Sequence, residues 1–168
     1  MGHSTRGPDE FLALLRAHGI RRLVDVRRFP GSRRYPHFSQ RALAAALDAA
    51  GIAYVHEEAL GGRRSARKDS PNTGWRNLSF RGYADHMATS EFLAALDRLA
   101  AYAESQQVAI LCAEAVPWQC HRNLIADALV TRGIEVVHIL SEDRTQSHTL
   151  NPLARERPDG SLVYPAAQ

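Results

Sequence analysis

Apolar and polar positions alternate in blocks along this chain, and the blocks predict helices and strands in turn. The spacing predicts a first helix over 8–18, because Pro8 opens an amphipathic stretch and Gly19 follows its end. A short apolar run over 23–26 predicts a buried strand. The later elements are a helix over 40–50 capped by Ser39, a strand over 52–55, helices over 81–87 and 90–103, a strand over 108–111, a helix from near Cys120, and a strand over 135–139.

Strands separated by helices indicate the fold class. We predict an α/β fold whose sheet is mostly parallel and has helices on both faces, as a three-layer sandwich. The 168 residues suffice for one well-buried core, so residues 1–168 are expected to form a single domain. Two stretches lack a regular pattern: a long basic loop over 57–79, and an irregular tail over 141–168 that contains a turn signal compatible with a hairpin. The first residues leave room only for the stub of a strand before His3.

Composition limits the classes of function. The net charge is +3, and lysine occurs once, at Lys68, among 21 basic residues. Arginine recognises phosphate and carboxylate through paired hydrogen bonds, so an anionic partner is expected. No apolar stretch approaches the ~20 residues of a membrane helix, and the polar opening is unlike a signal peptide. We therefore expect a cytoplasmic protein with no membrane partner, in which the two cysteines are reduced.

Reactive side chains are concentrated between the strand over 108–111 and the helix that follows it. Cys112, Glu114, Cys120, His121 and Arg122 lie in this segment, which holds both cysteines of the chain. The start of a helix offers unpaired N–H groups and a partial positive charge, and Arg122 adds a fixed cation. The segment therefore predicts an anion site, and the same field favours thiolate over thiol.

Three interpretations of this segment stay open. In the first, Cys112 or Cys120 is a nucleophile, His121 is the acid or base, and Glu114 orients it. The order of strand, cysteine, loop and helix is similar to that of rhodaneses and cysteine phosphatases, although Arg122 lies ten residues after Cys112. In the second, Cys112, Cys120 and His121 bind zinc or iron. In the third, Cys112 is a small buried hydrophobe, and no cofactor is required.

Polar residues follow each predicted strand. Loops after parallel strands emerge at the same sheet edge, where α/β proteins bind ligands, so these residues are expected to share a crevice. Arg122, Arg27, Arg6, His3 and Asp25 are the expected substrate-binding residues, although Asp25 could equally cap the strand. The remaining candidates at this edge are Ser4, Thr5, Arg28, Arg33, Arg34, His56, Glu57, Glu58 and His138, of which His138 could equally belong to the core.

The loop over 57–79 suggests a second kind of site. It carries basic side chains next to a tryptophan, a combination that grips a polyanion and stacks on a base. The alternative is a lid over the crevice with the tryptophan packed into the core. The residues concerned are Arg63, Arg64, Arg67, Lys68, Trp75 and Arg76.

Four short motifs resemble a known family. They are Gly2-His-Ser-Thr-Arg6, Val24-Asp-Val-Arg27, Phe80-Arg-Gly-Tyr83, and Cys112-Ala-Glu114 with Cys120-His-Arg122. Together they are similar to the family called domain of unknown function 488, whose members are small prokaryotic α/β proteins without a settled activity. The resemblance implies that the motif positions His3, Arg6, Asp25, Arg27, Cys112, Glu114, Cys120, His121 and Arg122 belong to a common site. It also implies a fuller first strand than the opening of this chain supplies.

The favoured hypothesis is an enzyme that acts on a phosphorylated or otherwise anionic, nucleotide-like substrate. It would be a cysteine-dependent hydrolase or transferase using a Cys/His/Arg site. One alternative is a non-catalytic module that binds nucleic acid through the loop over 57–79. The other is a Cys/His metal-binding protein. The expected partner is accordingly an anionic small molecule or a nucleic acid.

Overall fold

Three parallel strands form the central sheet of the protein, whose residues 1–168 are described by a computed structural model. The strands are β1 (Arg22–Asp25), β2 (Ala53–His56) and β3 (Val108–Leu111), in the order β2-β1-β3. Their register pairs Asp25 with both His56 and Leu111, so the three strands end at the same level. The predicted α/β class and parallel sheet are confirmed.

Five helices flank the sheet. They are α1 (Pro8–Ala17), α2 (Gln40–Ala49), α3 (Leu78–His86), α4 (Ser90–Ser105) and α5 (Arg122–Thr131). The Oγ of Ser39 accepts the N–H of Ala42 at the start of α2, as its cap position predicts. At the start of α3, the Oδ1 of Asn77 accepts the N–H groups of Ser79 and Phe80. This helix therefore begins before residue 81, where the sequence predicts its start. None of the five helices combines the length and apolar character that a bilayer crossing requires.

Two apolar clusters lie on opposite faces of the sheet. Successive side chains of a strand point to opposite faces, and β1 illustrates this: Leu23 enters one cluster and Val24 the other. The cluster around Leu23 includes residues of α1 and α2, whereas the cluster around Val24 includes residues of α3, α4 and α5. The molecule is therefore layered as helices, sheet and helices, as predicted.

The first residues of the chain extend the sheet beyond β3. Gly2 forms a parallel bridge with Cys112, and the N–H of His3 donates to the carbonyl of Cys112 at 2.9 Å. The Cys112 N–H in turn donates to the carbonyl of Met1. A strand stub was predicted here, and its pairing brings His3 next to the cysteine at the end of β3.

The chain after α5 forms two hairpins. The first pairs β4 (Val137–Ile139) with β5 (Thr145–Ser147), and the second pairs β6 (Arg155–Glu156) with β7 (Leu162–Val163). The sequence predicts that a strand over 135–139 joins the parallel sheet. This prediction is wrong, because the strand pairs with β5 in antiparallel orientation instead. Because β4 pairs only with β5, a groove separates it from β3.

A buried carboxylate fixes this last part of the chain to α5. Asp127 is fully buried and accepts hydrogen bonds from Nε2 of His148 at 2.7 Å and from the Tyr164 hydroxyl at 2.9 Å. It also accepts the backbone N–H of Asn151. One side chain thus holds three separate points of the carboxyl-terminal segment.

Candidate active site

A pocket of about 640 Å³ opens at the carboxyl edge of the parallel sheet. Its walls are formed by four segments that are separate in the chain. This agrees with the prediction that the residues following the strands share one crevice. Among its lining residues are His3, Ser4, Thr5, Arg27, Arg28, Phe29, Arg34, Tyr35, Gly62, Arg63, Cys112, Glu114, Cys120 and His121. Both thiols, several guanidinium groups and two imidazoles therefore share one cavity.

The two cysteines lie at the floor of this pocket, and Arg122 lies beneath them. Cys112 is 2% exposed and Cys120 is 4% exposed. Nη1 of Arg122 donates to Sγ of Cys112 at 2.6 Å. The same guanidinium donates to the carbonyls of Glu114 and Ala115, which fixes its orientation. Arg122 is only 1% exposed, so it contacts the thiol from within the core rather than from the open pocket.

The environment shifts the pKa values of the two thiols in opposite directions. Burial alone would raise the pKa of Cys112, but a hydrogen bond from Cys120 and the charge of Arg122 outweigh it and lower the pKa from 9.0 to about 6. The pKa of Cys120 is raised, because its proton is held in the hydrogen bond to Cys112 and because the thiol is buried. Cys112 is therefore the thiolate at neutral pH, and Cys120 remains a thiol.

His121 contacts the thiol pair from one side. Its Nε2 lies 2.9 Å from the carbonyl of Val26, to which it donates, so Nδ1 is left as an acceptor. That Nδ1 lies 3.6 Å from Sγ of Cys120. Burial lowers the pKa of His121 to about 4, with a smaller effect from Arg122. The imidazole is therefore neutral at physiological pH, and its unprotonated Nδ1 lies next to Cys120.

Asp25 and Arg27 form a buried pair at the end of β1. Nε and Nη2 of Arg27 donate to the two carboxylate oxygens of Asp25 at 2.9 and 2.7 Å. Nη1 of Arg27 donates to the carbonyl of Phe38, and the Tyr54 hydroxyl donates to Asp25 at 2.6 Å. Every nitrogen of the Arg27 guanidinium is thus engaged, which indicates that this pair supports the pocket wall.

The accessible cations of the pocket come from two loops. Arg28 and Arg34 follow β1, and Arg63 lies in the loop after β2. Close to two of them lies Phe29, which is 61% exposed. The guanidinium carbons of Arg28 and Arg63 lie 5.3 and 6.0 Å from the centre of its ring. An exposed aromatic ring with two cations nearby offers stacking and anion binding at one place.

The backbone is strained at two points of the pocket. Ser4 and Arg63 have φ angles of 50° and 57°, and they are the non-glycine residues of the chain with positive φ. Both line the pocket. Non-glycine residues in this region are uncommon and are concentrated at functional sites.

Other predicted site residues lie in different environments. His3 is in the pocket, where its ring stacks on Phe38 at 4.3 Å and burial lowers its pKa. Arg6 donates to the carbonyls of Gly2 and Leu140 and does not line the pocket. Glu114 lines the pocket with an exposed side chain, whereas the group that orients His121 is the Val26 carbonyl. His138 lies outside the pocket and contacts His148.

The remaining strand-end candidates also separate into two groups. Glu57 is buried and forms a two-pronged ion pair with Arg98. His56 contacts the carbonyl of Arg27 through Nε2. Neither lines the pocket, and the same holds for Arg33 and Glu58. Position after a strand therefore indicates the correct edge but not the direction of each side chain.

The loop over 57–79 is held in place by hydrogen bonds. Asp85 accepts the N–H of Arg67, the Ser70 hydroxyl and the Asn72 amide. Trp75 packs on Phe80 and Tyr164, with ring centres 5.1 and 5.6 Å away. Of the basic residues predicted to bind nucleic acid, Arg63 lines the pocket, whereas Arg64, Arg67, Lys68 and Arg76 do not. Trp75 is half-buried against the core, as the lid interpretation expects.

The side chains of the site do not form a metal centre. No group of three or more histidine, cysteine or acidic side chains is arranged to hold a metal ion. Nδ1 of His121 approaches only Cys120, while Arg122 contacts Cys112. The geometry therefore gives no support to the zinc or iron alternative at Cys112, Cys120 and His121.

Comparison with protein families identifies a family whose model covers most of the chain. The family model described as Domain of unknown function DUF488 matches residues 7–129. The chain belongs to the DUF488 family. The matched range includes the arginines after β1, both cysteines, His121 and Arg122. Searches of curated proteins and of solved structures found no match.

Sequence reasoning missed two contributors to this DUF488 site. Phe29 was not singled out, although an apolar residue among arginines directly after a buried strand is an available signal. Gly62 was not singled out either. A Cβ at Gly62 would lie 2.9 Å from Nδ1 of His121, so the loop approaches the imidazole closely enough to exclude a side chain.

Proposed function

We propose that this protein is a cysteine-dependent hydrolase or transferase that acts on an anionic, nucleotide-like substrate. The observation that carries the proposal is the contact of 2.6 Å between Nη1 of Arg122 and Sγ of Cys112, at the floor of a basic pocket. A buried guanidinium at hydrogen-bond distance stabilises a thiolate, and a thiolate is the nucleophilic form of cysteine.

The proposed chemistry follows from the different pKa values of the two thiols. Sγ of Cys112 attacks an electrophilic centre of the substrate and forms a covalent bond to it. The bond from that centre to the leaving group breaks, and the leaving group takes its electron pair. Cys120 carries the proton nearest to the sulfur, and Nδ1 of His121 lies 3.6 Å from Sγ of Cys120. Water or another acceptor then takes the group from Cys112 and releases its proton to solvent, and the sulfur leaves as a thiolate beside Arg122.

The substrate class is argued from the pocket rim. Arg28, Arg34 and Arg63 supply cations that are not enclosed in the core, and Phe29 supplies an exposed ring close to two of them. A ligand with a phosphate and a planar ring satisfies both features. A mononucleotide has this composition, and the pocket volume of about 640 Å³ accommodates one.

The test of the nucleophile is the pH dependence of alkylation. Purified protein is treated with iodoacetamide between pH 5 and 10, and the modified cysteine is identified by mass spectrometry. We expect Cys112 to react with an apparent pKa of about 6. The variant Cys112→Ser should lose this reactivity. Reaction of both cysteines with an ordinary pKa near 8.5 would contradict an activated thiol.

The test of the substrate class is protection of Cys112 from alkylation. Adenosine 5′-monophosphate should slow the reaction, and adenosine or inorganic phosphate alone should slow it less. Arg34→Ala and Phe29→Ala should each weaken protection by about tenfold, since each removes one kind of contact. Arg41→Ala is the matched control, because Arg41 is exposed on α2 and does not line the pocket. Equal protection of Cys112 in all variants would contradict the nucleotide assignment.

The nucleic-acid-binding alternative makes a different prediction. A module of this kind would lose affinity steeply with salt, because phosphate contacts release counterions. Its predicted stacking residue, Trp75, packs against Phe80 and Tyr164. Electrophoretic mobility shifts with single- and double-stranded DNA and RNA at two salt concentrations test it. Salt-sensitive binding that survives Cys112→Ser and Phe29→Ala would favour this alternative.

A further inference from the structure

Cys120 takes no part in the proposed group transfer, although it lies in direct contact with the nucleophile. Both cysteines are free thiols that line the basic pocket. The Cys120 thiol donates a hydrogen bond to Sγ of Cys112. Attack by Cys112 on a substrate and release of the product leave this second thiol chemically unchanged. Cys120 is therefore available for another reaction of the same sulfur pair.

Arg122 contacts both sulfurs and holds them together. Its Nη1 donates to Sγ of Cys112 at 2.6 Å, and its backbone N–H donates to Sγ of Cys120 at 3.5 Å. One residue thus joins the end of β3 to the start of α5 at the thiol pair. Its guanidinium lies beside Cys112 and favours the thiolate, which is the form of cysteine that reacts with an oxidant.

A thiolate beside a thiol is the arrangement that stepwise oxidation to a disulfide requires. The thiolate is oxidised first to a sulfenic acid, and a neighbouring thiol then condenses with that sulfenic acid. The pKa of Cys112 is lowered by the Cys120 hydrogen bond and by Arg122, and the pKa of Cys120 is raised by the same hydrogen bond and by burial. Cys112 is therefore oxidised first, and Cys120 is the thiol that condenses with it.

The chain between the two cysteines permits them to bond. Cys112 directly follows β3 and Cys120 precedes α5, so neither is inside a helix. The segment between them contains a single short 3-10 helix, Pro117–Gln119. A disulfide joins its sulfurs at about 2.0 Å. Two sulfurs that are already in hydrogen-bond contact reach this distance by a small movement of that segment.

The position of Cys112 selects a small oxidant. The residue is 2% exposed, at the floor of the pocket. Hydrogen peroxide is uncharged, is little larger than water, and has to contact only one sulfur atom. A disulfide of another protein would have to bring its own sulfur and the chain around it to the same floor. The accessible surface of Cys112 therefore favours hydrogen peroxide over a protein disulfide.

We propose that the protein also reduces hydrogen peroxide, with Cys112 as the thiolate that is oxidised and Cys120 as the thiol that forms the disulfide with it. Sγ of Cys112 attacks one peroxide oxygen, the O–O bond breaks, and the departing hydroxide takes a proton from solvent to become water. Sγ of Cys120 then attacks Sγ of Cys112, the S–OH bond breaks, and the departing hydroxide combines with the thiol proton as water. An external dithiol reduces the protein disulfide to two thiols and is itself oxidised to a disulfide.

This reaction rests on the Cys112 thiolate that the proposed function also needs, but it requires no nucleotide. It gives the second cysteine a role that group transfer does not. It also makes the group transfer sensitive to peroxide, because the disulfide form has no free nucleophile. Reduction by a dithiol restores the nucleophile.

The experiment treats reduced, full-length protein with one equivalent of hydrogen peroxide at pH 7, blocks the remaining thiols with N-ethylmaleimide, and maps the cysteines by mass spectrometry. We expect a disulfide between Cys112 and Cys120 within one molecule, reversed by dithiothreitol. In Cys120→Ser the oxidation should stop at the sulfenic acid of Cys112. Labelling by dimedone, which traps sulfenic acids, should then be at least about tenfold higher than in the unaltered protein.

A competition measures whether the oxidation is more than that of an ordinary thiol. N-acetylcysteine is mixed with the protein at the same thiol concentration, and peroxide is limiting. Cys112 should be oxidised at least about fivefold faster, because most of it is thiolate at pH 7. This measurement and the mapping of the disulfide use the unaltered protein, so they do not depend on the folding of a variant.

Three results would overturn the proposal. The first is oxidation of Cys112 with Cys120 still blocked by N-ethylmaleimide, or a disulfide between two molecules. The second is equal dimedone labelling of the unaltered protein and Cys120→Ser. The third is oxidation of Cys112 no faster than that of N-acetylcysteine.

The failure of this proposal is distinguishable from the failure of the proposed function. Protection of Cys112 by adenosine 5′-monophosphate without formation of the internal disulfide would reject peroxide reduction alone. Formation of the disulfide without such protection would reject the nucleotide substrate alone.

Discussion

Nη1 of Arg122 lies 2.6 Å from Sγ of Cys112, and this contact joins the helix after the loop to the strand before it. The two residues are ten positions apart in the chain. The intervening loop wraps around the guanidinium, which donates to the carbonyls of Glu114 and Ala115. Arg122 is therefore both the counter-ion of the proposed nucleophile and the core around which its loop folds.

Replacing this arginine should affect reactivity and stability together. We expect Arg122→Met to slow alkylation of Cys112 at pH 7 by about tenfold or more, because the thiolate loses its nearest cation. The free energy of unfolding should fall by about 3–5 kcal/mol, the range seen when one partner of a buried pair is removed. Urea titration and iodoacetamide kinetics measure the two effects. Arg41→Met, at an exposed position on α2, is the control and should change neither.

The role of Cys120 as hydrogen-bond donor can be separated from its role as a second thiol. In Cys120→Ala the donor to Cys112 is absent, so the pKa of Cys112 should rise from about 6 toward 9.0. Cys120→Ser keeps a hydroxyl donor and should retain most of the lowered pKa. Alkylation rates of Cys112 against pH distinguish the variants. Identical profiles for the alanine and serine variants would contradict donation by Cys120.

The sequence predicts much of this site because its chemistry is local. Cys112, Cys120, His121 and Arg122 are close in the chain, and the end of a parallel strand determines the edge at which they emerge. The direction of each side chain depends on tertiary contacts that no short pattern contains. Arg122 was expected to bind the substrate anion, yet it is 1% exposed and faces the thiol from below.

The close approach of Gly62 to His121 gives a further prediction. In Gly62→Ala the new methyl carbon would meet Nδ1 of the imidazole at 2.9 Å, so the ring or the loop must shift. We expect a loss of about 1–3 kcal/mol in the free energy of unfolding, typical of overpacking, and a changed NMR shift of the His121 ring. Gly7→Ala is the control, because a Cβ there meets nothing within 4 Å. Equal effects of the two substitutions would contradict the tight contact.

Asp127 should be essential for the carboxyl-terminal segment. Asp127→Asn keeps the size of the side chain but exchanges one acceptor oxygen for a donor, which opposes the donors of His148, Asn151 and Tyr164. We expect a loss of about 2–4 kcal/mol in the free energy of unfolding. Asp97→Asn is the matched control: Asp97 pairs with Arg132, but its side chain is 69% exposed, so its loss should cost less than about 1 kcal/mol.

Stability should decrease as the pH falls below neutrality. Burial lowers the pKa of His121 and of His138 from 6.5 to about 4, with a smaller effect from His148 on the second. Between these values the unfolded imidazoles bind protons that the folded ones do not, so protonation favours unfolding. Two shifts of this size would together remove about 5–6 kcal/mol between pH 7 and pH 4, and we expect about half of this loss after solvent screening, measured by urea titration. His138→Gln should flatten this decline, and an unchanged slope would reject the contribution of His138.

The fold was predictable where periodicity and caps agree, and less so at the edge of the sheet. Pro8 and Ser39 mark helix starts, and the apolar run over 108–111 coincides with β3. The run over 135–139 contains enough apolar residues for a central strand, but only Val137–Ile139 is extended and it pairs with β5. Periodicity indicates whether a strand is buried. The strand with which it pairs is determined by long-range packing, which periodicity does not contain.

The guanidinium of Arg122 lies next to two cavities, because it contacts Cys112 at the floor of the basic pocket and Arg122 also lines the groove between β3 and β4. Its single positive charge therefore acts on both cavities. Engineering of the groove, for instance by introducing a carboxylate among its walls, would consequently retune the nucleophilicity of the sulfur without altering any atom of the basic pocket.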